Sequence, residues 1–251
     1  MEWSDEGIVL AVRRHGESSA IISLLTAGHG RHAGLVRGGS SKRWRGVLQP
    51  GNEVSATWRA RLEEHLGAYV VEPLRSHAVL YDRPGPLAAL TSACALAEAA
   101  LPERAPHAEL FATLGQLLAL LDAPDWAEAY VRWEIGLLAD LGFGLDLGSC
   151  AATGVNDGLA WVSPKSGRAV SLSAGEPWRD KLLPLPAFLA PGGGAPDSGA
   201  PDTGQIAEGL RLTGWFLERH VFAPHDMTTP DARERLAGFI RGLDAKRQDI
   251  V

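Results

Sequence analysis

The first 75 or so residues contain five apolar segments separated by short turns, and this pattern limits the possible folds more than any other feature of the chain. The segments predicted as strands are residues 7–12, 20–26, 31–36, 47–58 and 66–74. Short strands that are so closely joined leave exposed edges unless their sheet closes on itself. We therefore predict a closed five-stranded barrel over residues 1–80, with the oligonucleotide-binding OB-fold as the leading candidate.

A basic segment lies around the turn between the third and fourth predicted strands. Residues 31–61 hold seven basic residues and one acidic residue, a net charge of +6, whereas residues 76–251 carry −8 and the whole chain −6. Lys and Arg side chains bind phosphates, and a Trp ring can stack on a base. The residues predicted to bind DNA are Arg31, Arg37, Lys42, Arg43, Trp44, Arg45, Arg59 and Arg61.

Each part of this prediction has an alternative. The residues between 36 and 53 are also compatible with a solvated hairpin loop whose charges only keep the protein in solution. Trp44 is also compatible with packing in the core or against the hairpin, because Trp side chains are mostly buried.

The chain changes character near residue 81, where the Arg83-Pro-Gly-Pro sequence interrupts any regular element. Five later stretches have apolar residues at spacings of three and four or helix-start signals, and are predicted helices: 87–101, 107–121, 126–141, 205–222 and 230–243. Thr229 is the expected N-cap of the last helix. The prediction is an α+β, multi-domain protein, with the barrel at residues 1–80 and a helical domain at residues 81–251.

Two segments interrupt the helical domain. The first, at about residues 144–175, has the spacing of a zinc ribbon, but its four ligand positions are Cys150, Thr153, Ser163 and Ser166. Structural zinc needs four soft or borderline ligands, so we predict a small, degenerate, metal-free insertion that resembles a zinc ribbon. The second segment, residues 190–204, is rich in Gly, Pro and Asp, and it is predicted to be a flexible linker.

The sequence contains no motif that indicates an enzyme. It has no phosphate-binding loop, no GxSxG nucleophile motif and no HExxH zinc motif, so we predict no catalytic activity, no cofactor and no metal. No apolar run reaches the roughly 20 residues that a membrane-spanning helix needs. With two cysteines and an acidic start that lacks a signal-peptide core, the chain is predicted to be cytoplasmic and without a membrane partner.

Several of these segments carry a resemblance to a known family. They are Gly7-Ile-Val-Leu, Gly30-Arg31, Arg37-Gly-Gly, the run from Lys42 to Pro50, Arg132-Trp-Glu, the run from Leu138 to Asp146, Cys150 and Gly154. Together they resemble the bacterial RecO family of recombination mediators, over nearly the whole chain. The resemblance implies an N-terminal OB-fold, a helical C-terminal domain and DNA binding with strand annealing. Some family members carry a zinc ribbon, from which this sequence departs at the positions named above.

The family also implies partners. We expect a non-catalytic mediator of recombinational DNA repair that binds single- and double-stranded DNA and promotes strand annealing and recombinase loading. It would act with RecR and with the C-terminal tail of the single-stranded DNA-binding protein. Arg132 is the predicted contact for that acidic tail, although a helix-surface charge with a neighbour four residues away is the alternative.

Two other classes of function compete with this one. An OB-fold module that binds structured RNA would prefer such RNA to single-stranded DNA in a competition assay. A nuclease would need clustered carboxylates around a metal ion, and the sequence contains no such cluster.

Overall fold

The computed structural model describes residues 1–192 and 200–248, with side chains up to residue 245. The chain divides into two compact units, Met1–Ala123 and Pro124–Val251. The first contains a closed β-barrel, one short helix and two longer helices, and the second contains helices and a small sheet. The predicted α+β class is therefore confirmed.

The barrel closes in the strand order β1-β2-β3-β5-β4. Its strands are β1 (Glu2–His15), β2 (Ser19–Thr26), β3 (Gly30–Val36), β4 (Glu53–Arg59) and β5 (Ala68–Arg75). Neighbouring strands run antiparallel except β3 and β5, which are parallel and close the barrel through two residue pairs. This strand order confirms the predicted five-stranded OB-fold barrel. Because the sheet closes, no long strand edge is left exposed.

The barrel core follows from the alternation of side chains along each strand. In β3, for example, buried residues alternate with half-buried ones from Gly30 to Val36. The core residues are Val9, Ala20, Ile22, Leu24, Val36, Leu48, Val54, Ala56, Trp58, Tyr69 and Val71. Burying each large apolar side chain contributes about 1.5–3 kcal/mol. Gly34 leaves room for the Tyr69 ring, since a Cβ there would lie 2.4 Å from a ring carbon.

The connection between β3 and β4 differs from its prediction. Residues 42–45 were expected in a loop, but they form a short helix, α1 (Lys42–Arg45). The fourth strand was expected to begin at residue 47, but β4 begins at Glu53. The side-chain amide of Asn52 donates to the Gly46 and Val47 carbonyls at 2.9 and 3.0 Å, which holds residues 46–52 in a turn.

Two helices complete the first unit: α2 (Pro84–Ala100) and α3 (Ala108–Leu120). Both were predicted as helices, and they contact β1 and β2 respectively. The compact unit that contains the barrel therefore extends beyond residue 80. The division of the chain into domains at residues 80 and 81 stays a prediction.

The second unit is built mainly from helices that pack on one another. Its elements are α4 (Trp126–Asp140), β6 (Leu159–Val162), β7 (Ala169–Ser171), α5 (Leu172–Gly175), β8 (Leu183–Pro184), α6 (Thr203–Phe216) and α7 (Asp231–Gln248). A π-helical turn, Leu217–Phe222, follows α6. The three strands form one sheet in the order β7-β6-β8, within and beside the predicted insertion at residues 144–175.

A buried ion pair joins α4 to α7. Glu134 is fully buried and accepts hydrogen bonds from Nε and Nη2 of Arg233 at 2.9 and 3.0 Å. The Thr213 hydroxyl also donates to this carboxylate, and the Tyr130 hydroxyl does so at 2.9 Å. A Cβ at Gly214 would lie 2.7 Å from Nη1 of Arg233, so glycine leaves room for the guanidinium. Buried charges need such partners to offset their desolvation.

Three details of the second unit bear on the predictions. The Thr229 hydroxyl donates to Glu218 at 2.6 Å, and α7 begins at Asp231, so the N-cap prediction for Thr229 was wrong. The linker predicted at residues 190–204 includes 193–199, which lie outside the described residues. None of the helices in residues 1–192 and 200–248 has both the length and the apolar character needed to cross a bilayer.

The zinc-ribbon-like insertion has no metal-binding geometry in the part of the chain that is described. No group of three or more His, Cys, Asp or Glu side chains within it could hold a metal ion. Cys150 is buried, and its sulfur accepts the Ser171 backbone N–H at 3.3 Å. The metal-free state and the relation of this insertion to a zinc ribbon stay predictions.

Candidate nucleic-acid interface

The basic turn, residues 37–45, follows the last residue of β3. Its four cationic side chains, Arg37, Lys42, Arg43 and Arg45, are all exposed. None of them forms an ion pair with another described residue. Four unpaired cations within nine residues give this end of the barrel a strongly positive potential, which attracts phosphate groups.

The basic turn is anchored to the barrel on both sides. The Ser40 hydroxyl donates to the Ser19 carbonyl at 2.7 Å. Trp44 is half-buried and packs against the barrel core, with the guanidinium carbon of Arg43 5.3 Å from its ring centroid. These contacts hold the backbone of the basic turn against the barrel, so its four cationic side chains extend from the barrel surface.

One row of directly paired residues crosses all five strands next to this turn. In spatial order, from β1 through β2, β3 and β5 to β4, the row is Arg13, Ile21, Leu35, Ala68 and Arg59. Directly opposite residues share one face of a sheet. The adjacent residues Ala20, Val36 and Tyr69 point into the core, so the row lies on the outer surface.

This outer surface is uncharged in its centre and has an arginine at each end, of which Arg59 is paired with Glu2. Adjacent strands lie about 4.8 Å apart, so Leu35 is about 10 Å along the sheet from both Arg13 and Arg59. Val70, two residues beyond Ala68 on the same face, is 62% exposed. The face lies between the β1–β2 turn and the β4–β5 loop, where OB-folds bind oligonucleotides. An extended strand could place its phosphates at the rim and its bases over the centre.

The sequence analysis missed Arg13 and Arg14, which are exposed at the end of β1. They lie far from the basic turn along the chain, but β2 brings them beside it: Arg14 pairs with Ala20, and Ala20 pairs with Val36. The only sequence signal was the adjacent pair of arginines before a glycine turn.

The remaining predicted cations already have partners or acidic neighbours. Nε of Arg31 donates to the Leu101 carbonyl at 2.8 Å, and Nη1 lies 3.4 Å from Glu98. Arg59 donates to Glu2 at 2.9 Å, and this hydrogen bond raises the pKa of its guanidinium. Arg61 is exposed, but two glutamates, at positions 63 and 64, share its loop.

In the second unit, Arg132 is also engaged. Its Nη2 lies 2.7 Å from Glu128, four residues earlier in α4, and donates to the Phe188 carbonyl at 2.6 Å. The same guanidinium lies over the Phe188 ring, 5.6 Å from its centroid. These contacts link α4 to the turn at Ala187–Leu189. The tail-binding role of Arg132 stays a prediction.

The fold and this surface define an OB-fold protein with a second, mainly helical unit. The family model described as "Recombination protein O N terminal" matches residues 1–77, and the model described as "Recombination protein O C terminal" matches residues 84–228. The chain therefore belongs to the RecO family, which confirms the resemblance.

Several similar proteins carry the name "DNA repair protein RecO". The one from Rhodospirillum centenum is 58% identical over 240 residues, which cover 94% of this chain and 93% of that protein. The one from Rhodospirillum rubrum is 55% identical over 252 residues and covers 98% of both chains. The one from Methylobacterium nodulans is 54% identical over 236 residues, covering 93% of this chain and 96% of that protein.

Proposed function

We propose that this chain is a non-catalytic DNA-binding mediator that promotes single-strand annealing and recombinase loading in recombinational DNA repair. The observation that carries the proposal is the set of four cations in the basic turn that have no ion-pair partner among the described residues. They lie next to an outer face of the barrel whose centre is uncharged. The relatives' name, DNA repair protein, supports the repair context. The predicted cytoplasmic location fits that context.

Annealing requires two strands held close together while their phosphate repulsion is screened. Cations at the barrel rim supply this screening, and exposed apolar side chains can contact bases without regard to sequence. The step forms base pairs and breaks no covalent bond, so no nucleophile or metal ion is needed. We propose both single- and double-stranded DNA as ligands, since the phosphate contacts are common to both.

The test is the salt dependence of DNA binding. Replacing Lys42, Arg43 and Arg45 with Glu should weaken binding by several kcal/mol and flatten the salt slope by about 0.7–0.9 for each lost phosphate contact. The matched control is Arg168→Glu with Arg179→Glu, because these exposed arginines of the second unit already face acidic partners. An unchanged slope in the triple variant would contradict the proposal. Preference for structured RNA over single-stranded DNA would favour the RNA-binding alternative.

We also propose RecR and the tail of the single-stranded DNA-binding protein as partners, which the family resemblance supports. For the tail, calorimetry with a synthetic acidic peptide and an Arg132→Glu variant is the direct test. A charge reversal at a true contact should lower the affinity by more than about 2 kcal/mol. Equal affinity would assign Arg132 a structural role in α4 alone.

A further inference from the structure

A cavity of about 490 Å³ opens at the end of the barrel where β1 begins. Small-molecule sites typically measure about 300–1,000 Å³. The residues around it are Met1, Glu2, Trp3, Gly28, His29, His32, Trp58, Glu63 and Arg104. All of them belong to the first unit.

Aromatic rings form much of the cavity wall. Trp3 stacks on His29 with centroids 3.9 Å apart and planes within 7°. Trp58 lies 5.8 Å from Trp3, and His32 lies 4.8 Å from Trp58. His29 is positioned by Asp5, 3.2 Å from its Nδ1. Flat, mainly apolar walls of this kind suit another planar ring.

One ring nitrogen of His32, a residue of the cavity wall, forms no hydrogen bond to the described residues. Nδ1 of His32 lies 3.0 Å from the Ala33 carbonyl oxygen, which can only accept, so we assign the proton to Nδ1. The Tyr69 hydroxyl, 3.2 Å from the same nitrogen, then donates to the His32 carbonyl at 3.3 Å. The other ring nitrogen, Nε2, is therefore an acceptor, and no described residue bonds to it. Burial, aided by the charge of Arg104, lowers the pKa of His32 to about 4, so the ring is neutral at neutral pH.

The arginines at the cavity have partners within the chain. Arg104 donates to the Glu63 and His65 carbonyls. Arg59, which follows Trp58 along β4, is paired with Glu2 at the cavity rim. Within the described part of the chain, the groups left without a partner are the acceptor nitrogen of His32 and the carboxylate of Glu63, which favour a hydrogen-bond donor over a phosphate.

The cavity also lies beside the outer row of the barrel. Arg59 ends that row, and the next residue inward along β4 is Trp58. The paired residues of β1 are Glu2 and Trp3. The Arg59 end of the row is therefore next to the segments of β1 and β4 that line the cavity.

We propose that this cavity binds one unstacked base of a single DNA strand that lies along the outer row, an inference that rests on the proposed function. The base packs against the indoles, and an exocyclic amino group donates to Nε2 of His32. Cytosine and adenine carry such a donor and thymine does not. The cavity would thus add base affinity to the electrostatic grip of the basic turn.

The first test changes the ligand and uses the unaltered full-length chain. Fluorescent strands of about 16 nucleotides, the upper site size for one OB-fold, are made as oligo-dC, oligo-dT and a base-free strand with the same phosphates. We expect oligo-dC to bind at least about fivefold more tightly than the base-free strand, since stacking contributes about 1–3 kcal/mol per base. Oligo-dT should lie between them.

The second test changes the cavity. Trp3→Leu should remove most of the base-dependent affinity and leave the salt slope unchanged. His32→Phe keeps the ring but removes the acceptor, so it should abolish the preference for dC over dT. The matched control is Trp178→Leu, because Trp178 is an exposed indole in the second unit, 59% accessible. Trp44→Leu tests the other candidate stacking ring.

The outcomes separate the two proposals. Equal binding of oligo-dC and the base-free strand would overturn the base cavity while leaving the proposed function intact. No binding of any strand would overturn the proposed function itself. The proposal for the cavity would also be overturned if the folded Trp3→Leu variant kept the difference in affinity between oligo-dC and the base-free strand. The same holds if only Trp44→Leu removed that difference. If Trp3→Leu does not fold, the proposal is still tested by the strand comparison on the unaltered chain and by the dC and dT affinities of His32→Phe.

Discussion

The basic turn and the ion pair of the second unit both depend on cationic side chains, but they use them in opposite ways. In the turn, Lys42 and Arg45 are exposed and lack acidic partners among the described residues. In the second unit, Arg233 is 3% exposed and makes two hydrogen bonds to Glu134. A cation whose bonds are satisfied within the chain stabilises the fold, whereas an unsatisfied one at the surface remains available to a ligand.

The same contrast occurs within one strand and the turn after it. Arg31 is the second residue of β3, and Arg37 directly follows the last residue of that strand. Arg31 is held by the Leu101 carbonyl and Glu98, while Arg37 has no such partner in the described part of the chain. The sequence alone does not distinguish the two arginines. Their difference in hydrogen-bond and ion-pair partners arises from the residues that pack against each one.

The largest expected effect comes from breaking the buried pair. Glu134→Ala should lower the free energy of unfolding by about 3–5 kcal/mol, because it leaves Arg233 buried without its counter-charge. Chemical denaturation monitored by circular dichroism measures this. The control is Glu208→Ala, whose carboxylate lies 3.8 Å from exposed Arg211. Equal stability of the two variants would show that the buried ion pair stabilises the fold no more than an exposed one.

A crossed pair of variants tests the contrast at β3. Arg31→Met should lower the stability by about 1.5–3 kcal/mol, the usual range for hydrogen bonds to charged groups, with little change in the salt slope of DNA binding. Arg37→Met should do the reverse: it lowers the slope by about 0.7–0.9 and leaves the stability unchanged. Denaturation and fluorescence anisotropy on the same samples give both numbers. A smaller salt slope of DNA binding in Arg31→Met would show that Arg31 contacts DNA after all.

Arg13 offers a sharper test of the interface, since only the strand pairing places it there. Arg13→Met should lower the salt slope by about 0.7–0.9 and weaken DNA binding by up to about tenfold. Arg75→Met is a suitable control, because Arg75 lies at the far end of β5, 3.5 Å from Glu53. If both variants bind DNA like the unaltered protein, the interface does not extend onto β1.

The smallest effect is expected at Arg132. The ion pair with Glu128 is of the helix-surface kind, which contributes about 0.3–0.5 kcal/mol, and the bond to the Phe188 carbonyl adds about 1 kcal/mol. Arg132→Met should therefore lower the unfolding free energy by roughly 1–2 kcal/mol in a denaturant titration. A loss as large as that of Glu134→Ala would mean that this exposed cation is as important to the fold as the buried one.

Local sequence signals account for most of the elements. Short apolar segments between turns predicted the barrel strands, and the boundaries of α2, α3 and α4 lie within a few residues of the predicted ones. The errors occur where side chains from elsewhere intervene. The turn before β4 depends on Asn52, which bonds back to Gly46 and Val47. Thr229 bonds to Glu218, eleven residues earlier, instead of capping α7.

By itself, the sequence determined the barrel, the helices and the presence of a basic turn, because these follow from the spacing of apolar residues, glycines and charges along a short stretch of chain. Only the tertiary structure decided which cations are free for a ligand. The partner of Arg31 lies 67 residues away and that of Arg233 lies 99 residues away. Arg13 and Arg59 lie on the same surface only because of the register of the five strands. Contacts over such distances arise from folding, and no local pattern encodes them.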